Sequence, residues 1–206
     1  ASEETAWIDV DNEKAFFEVT EHLANLGHKR IAHIGGPLKF NFSMQRVQGW
    51  ERGMQQLELP IPDGFHQVSD LSFEGGKAAM QALLALSIPP TAVCCVSDVM
   101  AIGAMQALRE NGLQPGSDVS LIGYDGLNIG DWLEPPLTTM RQPIEEAGKQ
   151  ISEMLMKIIE GSQETSAFQK LFGATLVRRG TDNPPNLDGS HPENSSQLKT
   201  KNYRRK

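Results

Sequence analysis

Apolar positions along the chain switch between short continuous or alternating runs and longer stretches of helical spacing. Ala6–Val10 reads as a strand. Asp11 or Asn12 then suits the cap of a helix that places Ala15, Phe16, Val19, Leu23 and Leu26 on one face, and Gly27 stops it. Arg30–Ile34 is the next strand, followed by the loop Gly35-Gly36-Pro37 and a helix carrying Val47, Trp50, Met54 and Leu57. After the turn at Pro60–Gly64 come a short strand near His66–Val68 and a helix over Gly75–Leu86. Thr91–Val96 is continuously apolar, as a parallel strand covered on both faces requires. A helix over Met100–Asn111, a strand over Asp118–Tyr124, a helix opened by Pro143 with Glu145 and Glu146 in its first turn, and a last strand over Leu171–Val177 complete the series. Strands alternating with helices of this length predict an α/β fold with a doubly wound parallel sheet.

Such a sheet binds ligands beyond the carboxyl ends of its strands. The polar residues just after each strand are therefore the candidate site: Arg46; Asp70, Ser72 and Phe73; Ser97 and Asp98; Tyr124 and Asp125. An arginine, carboxylates, hydroxyls and aromatic rings on one edge suit a sugar. Carboxylates accept from paired hydroxyls, a guanidinium donates twice in fixed geometry, and a ring packs on the C–H face. Each residue also has a plainer reading. Arg46 fits a surface charge, Asp98 a helix cap, Asp125 a turn residue beside Gly126, and Phe40, Phe42 and Phe73 fit the core.

A net charge of −7 argues against these residues gripping nucleic acid. The one basic cluster, Lys199–Lys206, lies in a Ser/Asn/Pro-rich stretch from about Asn183, read as a disordered tail. Cys94 and Cys95 are adjacent in an apolar run and point to opposite faces of a strand, so they read as reduced core residues of a cytoplasmic protein. No stretch is long and apolar enough to span a membrane. Ala1–Thr5 is not a signal peptide and lacks a starting Met, so the chain is expected to begin in mid-protein. Phosphate-binding, dinucleotide-binding and nucleophile-elbow signatures are absent, and His22, His28, His33 and His66 lack metal-ligand spacing. The expectation is a binding protein with no catalytic residue, metal or cofactor.

Five ordered segments resemble one family. They are His22-Leu23 with Leu26–Ala32 and Gly35-Gly36-Pro37, then Arg46-Val47-Gln48-Gly49-Trp50, then Ser97–Met105, then Asp118–Asp125, and Pro135–Pro143. Together, from about Thr5 to Thr181, they resemble the effector-binding core of the lactose/galactose repressor family. The resemblance implies a periplasmic-binding-protein-like (type I) effector lobe with remnants of a second lobe. By that pattern, residues 11–141 plus 170–182 form the C-terminal lobe. Residues 1–10 and 142–169 are remnants of the N-terminal lobe and crossovers, and 183–206 the tail. The rest of the N-terminal lobe and the helix-turn-helix head that reads operator DNA would precede Ala1.

The resemblance also carries roles to matching positions. Arg46 and Asp125 would contact effector hydroxyls, with Ser97, Asp98 and Gln142 at the site. Leu71 stands where relatives stack an aromatic, with Phe73 two residues on, and Phe42 makes the pocket more aromatic. Family members also pair side by side through this lobe, which implies a homodimer. The helix over Met100–Asn111 has a second apolar stripe, Val99, Ile102 and Met105, and Trp132 lies near it in a turn-like segment, so these four are the expected interface. The function implied is sugar or glycoside sensing by a repressor, with a periplasmic sugar-binding transport protein as the rival reading.

Overall fold

Local sequence chemistry starts and stops each element, and the crossovers then fix the topology. The computed structural model describes residues 6–161 and 169–186. In chain order the elements are β1 (Trp7–Val10), α1 (Asn12–Asn25), β2 (Ile31–Gly35), α2 (Asn41–Gln56), β3 (His66–Val68), α3 (Phe73–Leu84), β4 (Ala92–Cys95) and α4 (Asp98–Glu110). There follow β5 (Ser120–Asp125), a 3-10 turn (Asn128–Trp132), β6 (Thr139–Arg141), α5 (Ile144–Ile159), β7 (Gln169–Phe172) and β8 (Thr175–Val177). Asp11, Ser72 and Ser97 accept backbone N–H bonds at the starts of α1, α3 and α4. The last two caps explain why those helices begin at Phe73 and Asp98, two residues earlier than the apolar spacing alone predicts.

Six strands form one sheet in the order β3-β2-β4-β5-β6-β8, parallel except for the antiparallel pair β6-β8. The path β2-β3 runs one way along the sheet, while β3-β4 and β4-β5 run the other. Right-handed crossovers therefore put α2 on one face and α3 and α4 on the opposite face. α1 packs with α2, and α3 with α4. The reversal between β2 and β4 is the topological switch point, where a doubly wound sheet opens a crevice. Phe16, Trp50, Tyr124, Ile31, Ile34, Leu83 and Met100 are among the fully buried side chains of the core.

α4 lies hard against α3. A Cβ at Gly76 would collide with the Met100 carbonyl, and one at Gly103 with the Phe73 carbonyl. Two stripes of α4 are therefore used inside the lobe, one on the sheet and one toward α3. This removes Met105 from the expected interface. Met105 is fully buried and Ile102 is half-buried against the core, while Val99 is 38% and Trp132 85% exposed.

The expected last strand is in fact two strands in two sheets. β7 pairs with β1, Phe172 opposite Val10, and β8 pairs with β6, Thr175 opposite Arg141. Gly173 and Ala174 carry the chain between them, so residues 170–172 belong with the small β1-β7 unit and not with the main sheet. α5 stands beside that unit with Ile144, Ile151 and Leu155 exposed. The start of the expected tail is also corrected. The Asn183 carbonyl accepts from His28 Nε2 and from the Ser120 hydroxyl, both at 2.8 Å. Asp182 is buried, accepting from Thr138 (2.6 Å), His22 (2.8 Å) and Arg178 (2.6 Å). Residues 187–206, with the basic cluster, lie outside the described residues. No helix among them is long and apolar enough to cross a membrane.

Candidate functional site

A cavity of about 490 Å³ opens at the switch point, lined by Asp9, Asn12, Phe42, Arg46, Leu71, Val96, Ser97, Val99, Asp125 and Gln142. Its polar wall centres on Arg46. Helix α2 begins right after β2, so a residue near its N-terminal end lies over the gap between β2 and β4. The Arg46 side chain crosses that gap, donating from Nη1 to the Val96 carbonyl at 2.6 Å and from Nε to Asn12 Oδ1 at 2.9 Å. The guanidinium carbon sits 3.7 Å from the Tyr124 ring centroid and 4.9 Å from that of Phe42. Arg46 is only 5% exposed, and burial lowers its pKa, opposed by Tyr124 and Asp125. Among the described residues no carboxylate oxygen lies within 4.0 Å of it. The cation is thus held by a side-chain amide, a carbonyl and two ring faces.

Asn12 is the hub that sequence reasoning read only as a helix cap. Asp11 performs the capping. Asn12 is buried; its Oδ1 accepts from Arg46 and from the Tyr124 hydroxyl (3.3 Å), and its Nδ2 donates to the Val10 carbonyl (2.9 Å) and Gln45 Oε1 (3.0 Å). Asp9 and Val96 are further lining residues not foreseen. Asp9 lies on β1, within residues 1–10 that the resemblance assigns to the N-terminal-lobe remnant, and Val96 offers its carbonyl to Arg46.

Asp125 ends β5 with φ of 125°, a left-handed value unusual for a residue with a side chain. Gln142 donates to its carboxylate at 2.8 Å. Burial raises the Asp125 pKa, against the nearby Arg46 charge and the Gln142 bond. The structure therefore brings Arg46, Asp125, Ser97, Gln142, Leu71 and Phe42 together. It does not bring in two other expected residues. Phe73 is half-buried at the start of α3 and does not line the cavity; Leu71 does. The Asp98 carboxylate is fully buried behind it, accepting from Leu127 N (2.7 Å) and the Thr139 hydroxyl (2.6 Å). Ser97, not Asp98, caps α4, because only its side chain reaches the Met100 N–H. The apolar part of the cavity lining is Phe42, Leu71, Val96 and Val99. Among the described residues no group of three or more His, Cys, Asp or Glu is placed to hold a metal ion.

The periplasmic binding protein-like domain matches residues 20–181. The chain belongs to that family. It is 36% identical over 174 residues to the HTH-type transcriptional repressor CytR of Escherichia coli, covering 84% of this chain and 51% of that protein. A LacI-family regulatory protein from Chloroflexus aggregans has the same fold, with a TM-score of 0.81 and 38% identity over 86% of this chain and 63% of that one. The transcriptional regulator CelR in its cellobiose complex superposes with a TM-score of 0.82 and 28% identity, covering 88% of this chain and 55% of that one. This chain is homologous to the effector-binding core of LacI-family repressors and spans about half the length of the curated relatives it matches. These relatives are transcriptional regulators.

Proposed function

We propose that this chain is the effector-sensing core of a LacI-type repressor whose effector is a sugar or glycoside. The observation that carries the reading is the convergence of Arg46, Asn12, Asp125 and Gln142 on one cavity at the switch point that is also lined by apolar side chains. A neutral polyol offers hydroxyls to both the guanidinium and the carboxylate and a C–H face to Leu71 and Val99. A ligand lacking one hydroxyl leaves a desolvated partner unpaired, which gives discrimination. The solved CelR complex holds cellobiose, a ligand of the same chemical class. Occupation of the cavity would bias the orientation of the β1-β7 unit relative to the main sheet, since Asn12 ties Arg46 to the end of β1. In the cytoplasm, that change would alter operator binding by a DNA-reading head elsewhere in the protein.

Isothermal calorimetry of the purified chain with D-ribose, D-galactose and cellobiose tests this. The cavity is open, so at least one sugar is expected to bind with millimolar affinity, about 4 kcal/mol. If none of the three gives heat at about ten times that concentration, the sugar reading fails.

A homodimer is part of the same proposal. Trp132 at 85% and Ile129 at 53% exposure stand on the 3-10 turn, supported by an ion pair between Asp131 and Arg179 at 2.5 Å. A patch of this kind is the surface on which a second copy would pair. Trp132→Glu combined with Ile129→Glu is expected to give monomers by light scattering. A dimer that persists rules out this surface.

A further inference from the structure

The fully buried carboxylate of Asp98 has no capping duty and does not reach the cavity, yet it is bonded on both oxygens. Oδ2 accepts from the Leu127 N–H at 2.7 Å and Oδ1 from the Thr139 hydroxyl at 2.6 Å; the Gly126 N–H also favours its charged form. These groups flank Asp125. Its backbone sits at φ 125°, followed by Gly126 at φ 77°, where a Cβ would lie 2.7 Å from Arg141 Cγ. Gly123, two residues before Asp125, has no room for a side chain because Asp98 Oδ1 occupies the place of its Cβ. The Asp98 N–H in turn favours the charged form of the Asp125 side chain. One residue thus grips the turn behind Asp125 through its side chain and faces the Asp125 carboxylate with its backbone.

We propose that Asp98 is the positioning residue of the effector site: it holds the Gly126–Leu127 backbone and Thr139 so that Asp125 stays in its left-handed conformation with its carboxylate toward the cavity. The inference rests on the reading of Asp125 as an effector ligand. A non-glycine residue with positive φ persists only where its surroundings over-determine it, and here the determinants are the Leu127 N–H and the Thr139 hydroxyl, both collected by one carboxylate, with the Gly126 N–H donating to that same hydroxyl at 3.3 Å. Burial raises the Asp98 pKa to about 6, with Asp125 adding to the rise and the Thr139 and backbone bonds opposing it. Asp125 and the neutral Cys95 thiol are the titratable groups coupled to it. The clamp is therefore charged at pH 7.5 and loses its charge on acidification.

The test is amide NMR on the full chain, wild type against Asp98→Asn, Thr139→Val and Thr139→Ser, with cellobiose as the ligand probe. In wild type the Leu127 amide proton should shift with a midpoint near pH 6, and this titration should vanish in Asp98→Asn. Leu127 amide exchange should accelerate at least ~tenfold in Asp98→Asn and Thr139→Val, about 1.4 kcal/mol of local opening. Amides of α1 and α2 should keep their protection, and Thr139→Ser, which retains the hydroxyl, should restore the wild-type rate. Unchanged Leu127 exchange in both Asp98→Asn and Thr139→Val overturns the proposal, as does equal loss of protection throughout the chain. If Asp98→Asn does not fold, the Thr139 pair decides. Wild type that binds cellobiose while Thr139→Val binds at least ~tenfold more weakly supports positioning; equal binding by the two overturns it. A wild type that shows the Leu127 titration but binds no sugar removes the effector reading and leaves the clamp as local structure.

Discussion

Arg46→Met is expected to weaken sugar binding about 100-fold, roughly 2.7 kcal/mol, while changing folding stability by no more than about 1–2 kcal/mol. The two effects separate because of how the cation is held. In a buried ion pair, loss of one member strands the other charge, and the protein is badly destabilised. Arg46 has no carboxylate within 4.0 Å among the described residues, so its removal strands no charge. It leaves the Val96 carbonyl short of one donor, whereas Asn12 Oδ1 keeps the Tyr124 hydroxyl. The desolvation cost of the guanidinium disappears at the same time, and the thioether chain of methionine fills the space against the Tyr124 and Phe42 rings. Binding would have no such compensation, since the guanidinium N–H groups left free by Asn12 and Val96 would be lost to a polyol. Arg46→Lys should recover stability but not affinity, because an ammonium cannot reproduce the planar fork. Calorimetry gives the affinity and urea unfolding the stability. An unchanged affinity removes Arg46 from the site; a stability loss above about 3 kcal/mol makes it a structural keystone.

Acidification should destabilise the protein through His33, and His33→Phe should flatten that dependence. His33 lies on β2 in full burial, its ring 5.4 Å from Phe16, 5.6 Å from Trp50 and 5.1 Å from His66. Neither ring nitrogen has a hydrogen-bond partner. Burial drives its pKa well below 6.5, and the charges of His66 and Arg46 add to that. A histidine with a depressed folded pKa contributes fully above the unfolded value near 6.5. Below it the unfolded chain takes up a proton that the native protein refuses. The loss then grows by up to about 1.4 kcal/mol per pH unit until the folded pKa is reached. His28 and His66, also lowered by burial, act in the same direction. Asp98 acts oppositely: its folded pKa of about 6 lies above its ordinary 3.8, so the native state takes up protons first and gains stability as pH falls between them. Asp125, also raised, does likewise. The raw pH profile mixes these groups, whereas the difference between wild type and His33→Phe isolates His33. Between pH 6.5 and 5 the wild type is expected to lose about 2 kcal/mol more than the variant. Parallel profiles by urea unfolding at each pH contradict a neutral buried His33.

The alternation of period-2 and period-3.6 runs fixed the fold class from the sequence alone, because local periodicity reports which face of an element is covered, whatever covers it. Placing candidate residues just after strands likewise led to Arg46, Ser97 and Asp125, and the family resemblance added Gln142, Leu71 and Phe42. The parallel order of the strands makes those positions converge on one edge. Tertiary structure decided what local pattern does not encode: the direction in which a polar group is satisfied. Asp98 and Ser97 are neighbours, yet one faces inward to Leu127 and Thr139 while the other caps α4. Asn12 looks like a cap but gathers Arg46, Tyr124, Val10 and Gln45, partners up to 112 residues away in sequence. The apolar run after Gln169 is one segment by composition and two strands in space, because Phe172 and Thr175 find different sheets. Met105 belongs to the interior because Gly76 and Gly103 let α3 close on α4, a contact set by two glycines 27 residues apart that no periodicity of either helix records.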